Sequence, residues 1–233
     1  MRMAGSMIAR REMIGLVLGG GAALLGGCTL IGLQWRYRYQ MTVEVDCNGI
    51  HRTGSSVIEV VRTWGPTGIG GEARGEAAVV DIAPGQSLFA LLRGNLGGAD
   101  WPFTVPHWAY AHELGGTDMV DRTKLDRLMQ LKGVTSELSF DQFPTLVTFH
   151  NLNDSKSVVA VDPDDLAAPF GAGVKLRRIA ISITDDPVTT GIEKRLGWLG
   201  DYPESRLDHD YRGSTNPNLA QKLSNGDFRQ GVK

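Results

Sequence analysis

Two histidines and a glutamate lie close together in the middle of the chain, in the run His107-Trp108-Ala109-Tyr110-Ala111-His112-Glu113. Imidazole nitrogens and carboxylates are zinc ligands, and His150 or His209 could supply a third ligand for a metal-dependent hydrolase. In a zinc-protease helix of the form His-Glu-x-x-His the histidines are one turn apart. Here they are five residues apart, so on a helix they would face different sides. We therefore expect His107, His112 and Glu113 to pack a loop onto a sheet. We expect no cofactor, with zinc as the alternative.

The first 28 residues have the composition of an export signal. A basic start that ends in Arg10-Arg11 precedes the apolar run Met13–Leu25, and Gly26-Gly27 then precede Cys28. A basic start, a short apolar run and small residues before a cleavage point are typical of a secretory signal. The apolar run is shorter than the roughly 20 residues that a membrane-spanning helix needs. An uncleaved N-terminal anchor with an incidental cysteine is the alternative.

The segment Leu25-Gly26-Gly27-Cys28 resembles the lipobox of bacterial lipoproteins, a leucine followed by two small residues and a cysteine. The resemblance implies that residues 1–27 are cleaved as a signal peptide and that Cys28 receives a diacylglycerol. Residues 28–34 would then be the lipidated N-terminus and a short tether. The implied location is the bacterial cell envelope, with the lipid in the membrane and the domain facing the periplasm.

Two further features concern the route and the destination of export. Arg10-Arg11 resembles a twin-arginine signal, although Ala9 and Met13-Ile14 depart from the family pattern, so export of a folded or an unfolded chain stays open. Thr29 stands where an aspartate would resemble the inner-membrane retention signal of enteric bacteria. The absence of that aspartate favours the outer membrane.

The charge and cysteine content exclude some classes of protein. The chain has 24 Lys+Arg and 26 Asp+Glu, and removal of Arg2, Arg10, Arg11 and Glu12 with the signal leaves 21 and 25. A nucleic-acid partner normally requires a basic excess, so we expect none. If Cys28 is acylated, the second cysteine, Cys47, has no disulfide partner in the chain, and we expect it to be buried or shielded.

The remaining pattern predicts strands, loops and two helices. Alternating aromatic and polar residues predict a strand over 35–45, paired as a hairpin with a second strand over 54–62. The glycine-rich stretch 64–75 predicts a loop. Capping residues and apolar spacing predict a helix at about 118–132 and a second, short helix at about 189–199.

These elements predict a single domain over 35–200, of α+β or mainly-β class, with an antiparallel sheet. A phase slip between Leu176 and Ile179 predicts a β-bulge. The stretch 94–116 is rich in glycine, proline and aromatic residues and predicts a long loop. Residues 201–233 are polar and predict a loose C-terminal tail.

Parts of the mature chain resemble conserved hypothetical proteins of alphaproteobacteria. The resemblance covers Tyr37–Val60, Gly75–Leu92 and Leu176–Leu199, and its most distinctive part is Ile-Thr-Asp-Asp-Pro-Val-Thr-Thr-Gly-Ile-Glu-Lys-Arg-Leu-Gly-Trp-Leu. That family has no assigned activity, so the resemblance implies a shared fold and nothing about a site.

Three functions follow as expectations. The first is a non-catalytic envelope lipoprotein that binds an envelope protein or supports assembly, with the aromatic stretch Trp101–His112 as contact surface. The second is a metal-dependent hydrolase that uses His107 and His112. The third is a periplasmic carrier of small ligands, which would have an apolar cavity of several hundred cubic ångströms.

Overall fold

A computed structural model describes residues 33–66, 68–96, 98–208, 210, 213 and 215–231. Cys28 with its lipobox and His209 lie outside these ranges. The described residues form ten strands: β1 Leu33–Cys47, β2 Ile50–Gly65, β3 Gly68–Glu76, β4 Ala78–Ala83, β5 Gln86–Gly94, β6 Thr135–Glu137, β7 Pro144–Phe149, β8 Val158–Ala160, β9 Val174–Thr184 and β10 Arg229–Gln230. They also form five helices: α1 Trp101–Ala109, α2 Ala111–Leu114, α3 Arg122–Met129, α4 Ala167–Phe170 and α5 Leu219–Lys222. None of the helices in these ranges is long and apolar enough to cross a membrane.

The strands form two antiparallel sheets. The first has six strands in the order β10-β3-β2-β1-β9-β6, and the second has four in the order β4-β5-β7-β8. The main hydrophobic core joins the inner face of the six-stranded sheet to one face of the four-stranded sheet. The predicted fold class, a sheet-rich domain of α+β or mainly-β type, is confirmed.

The hairpin of β1 and β2 forms because β1 alternates between apolar and polar residues. Its inward residues are all buried: Trp35, Tyr37, Tyr39, Met41, Val43 and Val45. Asn48 and Gly49 connect the strands with φ values of 56° and 84°, the left-handed geometry that suits a two-residue hairpin turn. The predicted hairpin is confirmed, and β2 extends beyond the predicted 54–62.

The predicted bulge in β9 is also confirmed. The register between β1 and β9 shifts at Glu44/Val45, where Glu44 pairs with Arg178 and Val45 with Leu176. Arg177 is therefore the extra residue of the bulge. Because of it, the alternation of inward residues that includes Leu176 does not continue in step to Ile179.

Four local predictions need correction. The stretch 94–116 is not a loop throughout, because Pro102 stands in the first turn of α1, where a missing N–H costs nothing. The stretch 64–75 is not a loop, since Gly68–Glu76 pairs with β2 as strand β3. The predicted helix at 118–132 is confirmed only as the shorter α3, which Asp121 caps by accepting from the Thr123 N–H at 2.8 Å. The predicted helix at 189–199 is wrong, as described next.

In the segment 189–199 only Ile192–Lys194 form a helical turn, of the 3₁₀ type. Gly191 precedes this turn with a φ of 115°, which an α-helix does not accommodate. Ile192, Leu196 and Leu199 are nevertheless buried, because successive turns place them on the four-stranded sheet. Their spacing reflected burial rather than a helix.

The C-terminal segment differs from the loose tail that the sequence predicts. Leu207, Ala220, Leu223 and Phe228 are buried in a second hydrophobic cluster. This cluster covers the face of the four-stranded sheet that points away from the main core, and β5 contributes Phe89 and Leu91 to it. The described part of the domain therefore extends well beyond residue 200.

Candidate functional site

Helix α1 holds the first of the histidines singled out above and is fastened to the sheet by an unusual contact. Pro106 lies inside the helix and has no N–H to donate to the carbonyl of Pro102, four residues earlier. The hydroxyl of Tyr39, on the inner face of β1, donates to that carbonyl at 3.2 Å. Tyr39 therefore replaces the missing helical hydrogen bond and positions α1 over the sheet.

His107 lies on the face of α1 that turns toward the sheet. Its side chain is fully buried, and neither ring nitrogen has a hydrogen-bond partner among the described residues. Burial lowers the pKa of His107 to about 4, and the positive charges of Arg62 and Lys124 act in the same direction, against Asp118. The imidazole is therefore neutral at pH 7, with one donor and one acceptor nitrogen.

Arg62 is a buried cation on the inner face of β2, where it follows Ile58 and Val60. Only 6% of the residue is exposed, and its Nε has no partner. Within the described part of the chain no hydrogen bond or ion pair involves the other guanidinium nitrogens, and the nearest compensation is the ring of Phe103, whose centroid lies 5.7 Å from Cζ.

The energetics of Arg62 are unfavourable for the isolated domain. An arginine cannot lose its proton in a protein, and burying its Nε without a hydrogen-bond partner costs about 1–3 kcal/mol. A cation–π contact returns only about 1–2 kcal/mol. The side chain is nevertheless accommodated, because its neighbour on β3 is Gly71, where a Cβ would lie 2.8 Å from Nη1.

Tyr37 on β1 completes this group. Its hydroxyl is buried and has no partner among the described residues. Burial raises the pKa of Tyr37, and the charge of Arg62 opposes that shift, which places the two side chains within electrostatic reach. We call Arg62, His107 and Tyr37 the Arg62 cluster. It can donate several hydrogen bonds around one fixed positive charge.

The predicted zinc ligands do not come together. His107 is buried beneath α1, whereas His112 is exposed on α2 and His150 is exposed after β7. Glu113 is half-buried, and His209 lies outside the described residues. In the ranges that the structure describes, no group of three His, Cys, Asp or Glu side chains could hold a metal ion.

The sequence did not indicate Arg62 or Tyr37 as site residues. Tyr37 reads as an ordinary core residue of β1, and Arg62 as the polar end of a strand. One signal was present: Arg62 continues the inward series Ile58 and Val60, so a charge stands at a position that the alternation assigns to the core. His107 was a candidate, but for a metal rather than for this cluster.

A second charged group lies on the outer face of the six-stranded sheet. Arg38 and Arg74 flank Glu59 in the strand register, and the distances to its carboxylate are 3.1 Å from Arg38, 2.6 Å from Arg36 and 3.9 Å from Arg74. The group borders an open depression of about 530 Å³. With three arginines around one glutamate, this group of side chains has an excess of positive charge, although the chain as a whole is acidic.

The aromatic stretch predicted as a contact surface is only partly exposed. Trp101 and Tyr110 are buried, whereas Trp108 is 36% exposed. Trp108 lines a small pocket of about 150 Å³ together with Leu96, and Leu96 is 76% exposed. We call this the Trp108 surface.

No protein-family model, curated protein or solved structure matches this chain. The fold and the side chains define it as a two-sheet antiparallel domain with a buried cationic cluster. Its function therefore has to be inferred from these features and from the N-terminal sequence.

Proposed function

We propose that this chain is a lipoprotein of the bacterial envelope, anchored through Cys28, whose sheet domain has a non-catalytic binding or assembly role. The observation that carries the proposal is the order of basic start, apolar run and Leu25-Gly26-Gly27-Cys28. The first strand begins at Leu33, five residues after Cys28. Five extended residues span at most about 18 Å, so a lipid on Cys28 would keep the start of β1 near the membrane surface.

The arginines around Glu59 support a position beside a membrane. Arg36 and Arg38 follow the start of β1 directly and point to the outer face of the sheet. Guanidinium groups bind phosphate oxygens, and basic residues near an anionic lipid surface each contribute about 1 kcal/mol. Arg36 is 53% exposed at its side chain, so it is available for such contacts.

The Trp108 surface supports a protein partner in the envelope. Tryptophan is among the residues that contribute most to protein interfaces. Trp108 and Leu96 leave apolar area exposed around a shallow pocket. Trp108 belongs to the stretch Trp101–His112 that the sequence indicated, and Leu96 precedes that stretch.

The anchor is tested by metabolic labelling with radioactive palmitate in a bacterial host that expresses the full chain. Wild type should be labelled and found in the membrane fraction. Cys28→Ser should be unlabelled and should keep its signal peptide, because the thiol that accepts the lipid is gone.

Cys47→Ser is the matched control, since Cys47 is the other of the two cysteines. Cys47 is half-buried and free, and burial raises the pKa of its thiol. Labelling of Cys47→Ser should equal that of wild type. Label on Cys28→Ser, or none on wild type, would refute the anchor.

A further inference from the structure

We infer that the Arg62 cluster is a binding site for the anionic oxygens of a small ligand, a carboxylate or a phosphate, which reach it past Phe103 and Gly71. This inference goes beyond the proposed anchor and would hold without it, because all the residues concerned lie inside the sheet domain.

The first argument is charge. Only 6% of Arg62 is exposed. No carboxylate in the described part of the chain pairs with it. Arg229, the other arginine buried to a similar degree among the described residues, is paired: it contacts Asp201 at 3.2 Å and Glu193 at 3.6 Å. Buried charges in proteins are paired or bind ions. The Nε of Arg62 is buried without a partner, whereas its two terminal nitrogens are not enclosed in this way and are available to an anion.

The second argument is the set of donors around that charge. A guanidinium binds the two oxygens of a carboxylate or phosphate through parallel N–H groups. The hydroxyl of Tyr37 is a further donor, near enough for the charge of Arg62 to act on it. Neutral His107 can donate from either ring nitrogen, depending on its tautomer. All three side chains have buried polar atoms without partners among the described residues, and the charge of Arg62 acts on both of the others.

The third argument is access. Gly71 and Phe103 border an open depression of about 520 Å³, and both also adjoin the Arg62 side chain. A Cβ at Gly71 would lie 2.8 Å from Arg62 Nη1 and 3.4 Å from Phe103 Cδ1. The missing side chain at Gly71 therefore leaves the guanidinium next to the depression, with the Phe103 ring beside it.

The rim of this depression carries both signs of charge. Arg74 lines it, and so do Glu72 and Glu204. Because the rim has no clear excess of positive charge, binding of an anion here should depend on Arg62 itself. Arg62 is therefore the residue that the experiment substitutes.

The experiment measures thermal unfolding of the full chain, purified as the host processes it, at pH 7.5 and constant ionic strength. Sodium phosphate or sodium acetate replaces sodium chloride in rising concentration. The Tm of wild type should rise and then follow the logarithm of the anion concentration, because only the folded protein binds the anion. A response to phosphate alone assigns a phosphate ligand, and a response to acetate alone assigns a carboxylate.

Two variants separate binding from general salt effects. Arg52→Gln removes an exposed arginine of the same strand as Arg62, outside the Glu59 group, and should respond as wild type does. Arg62→Met removes the buried charge and should show only the small rise that excluded salts produce in any protein. In chloride alone, Arg62→Met should be at least as stable as wild type, because replacing an unpaired buried charge by an apolar side chain removes its desolvation penalty.

Gly71→Ala keeps the inference testable if Arg62→Met fails to fold. The added Cβ would lie 2.8 Å from Arg62 Nη1 and displace that end of the side chain. The rise in Tm with the anion should therefore fall at least threefold, while the Tm in chloride changes little. Equal anion responses in wild type, Arg62→Met and Gly71→Ala would overturn the inference. So would a wild-type Tm that does not respond to either anion beyond chloride.

Discussion

At the scale of single residues, the Arg62 cluster is the part of this domain where burial and polarity conflict. Arg62, His107 and Tyr37 come from three different elements, and each has buried polar atoms that remain without partners among the described residues. Most buried polar groups in proteins are hydrogen-bonded, so such exceptions require a physical reason. The charge of Arg62 also acts on the protonation of both neighbours, which makes His107 a reporter of the cluster.

His107 should make the domain less stable in acid. Its folded pKa is about 4, below the value of about 6.5 in an unfolded chain, so the unfolded state binds the proton more strongly. The stabilisation is complete above pH 6.5 and is lost as the pH falls toward 4. The free energy of unfolding should decrease by up to about 3 kcal/mol over that range, as measured by urea denaturation at several pH values.

The comparison with His107→Phe isolates this contribution. That variant has no titratable group at position 107. The part of the decrease in its free energy of unfolding that is due to His107 should therefore be absent between pH 6.5 and 4. Glu76, whose pKa is raised by burial, titrates in both proteins and cancels in the difference. His112→Gln, changed at an exposed histidine, is the control and should follow the wild-type curve. Parallel curves for wild type and His107→Phe would contradict the assignment.

At the scale of elements, helix α1 forms against a local disadvantage. A proline inside a helix removes one hydrogen bond and crowds the preceding turn. Here the carbonyl that Pro106 cannot serve is bound by Tyr39, a residue of β1 that the alternation assigns only to the core. The helix that carries Phe103 and His107 is therefore held in place by the strand beneath it.

Tyr39→Phe should destabilise the domain by about 1–2 kcal/mol, because it leaves the buried Pro102 carbonyl without a donor. The loss of stability caused by Tyr39→Phe should be smaller when Pro106 is also changed to alanine, because the backbone N–H restored at position 106 can donate to that carbonyl. A double-mutant cycle measured by denaturant unfolding should give a coupling of about 1 kcal/mol. Tyr202→Phe, at a residue that is 77% exposed, should change stability by less than about 0.5 kcal/mol. If the two substitutions change the free energy of unfolding additively, the Tyr39 hydroxyl does not replace the missing N–H of Pro106.

At the scale of the whole domain, the described residues form three layers. The six-stranded sheet packs on one face of the four-stranded sheet, and the segment after β9 covers the other face. Phe228 lies at the centre of this outer cluster, with ring centroids 5.7 Å from Trp198, 5.9 Å from Phe149 and 6.2 Å from Phe89. The C-terminal segment is therefore part of the core structure.

Phe228→Ala should lower the free energy of unfolding by about 3–5 kcal/mol, as expected for loss of a fully buried phenylalanine. Phe140→Ala is the matched control, because Phe140 is 49% exposed, and its effect should stay below about 1 kcal/mol. A loose tail would instead predict no effect of Phe228→Ala on the denaturant midpoint.

The features that the sequence predicted correctly are those that depend on neighbours along the chain. The alternation in β1, the hairpin that β1 forms with β2 and the phase slip in β9 all arise from backbone geometry and local side-chain spacing, so a short stretch of chain carries the information. The segment 189–199 shows the limit of such reasoning. Its apolar spacing indicated burial correctly but did not distinguish a helix from packed turns.

The site and the C-terminal layer depend on contacts between distant segments. Arg62 becomes a buried cation only because α1 folds over β2 and Gly71 of β3 leaves space beside it, and nothing within β2 alone determines that. Phe228 is buried because the four-stranded sheet has a second apolar face, which becomes evident only when both sheets are assembled. The sequence by itself determined the hairpin of β1 and β2 and the bulge in β9, and it carries the proposed anchor at Cys28. Tertiary structure decided which polar side chains lose water, since the solvation of a charge is set by everything that surrounds it.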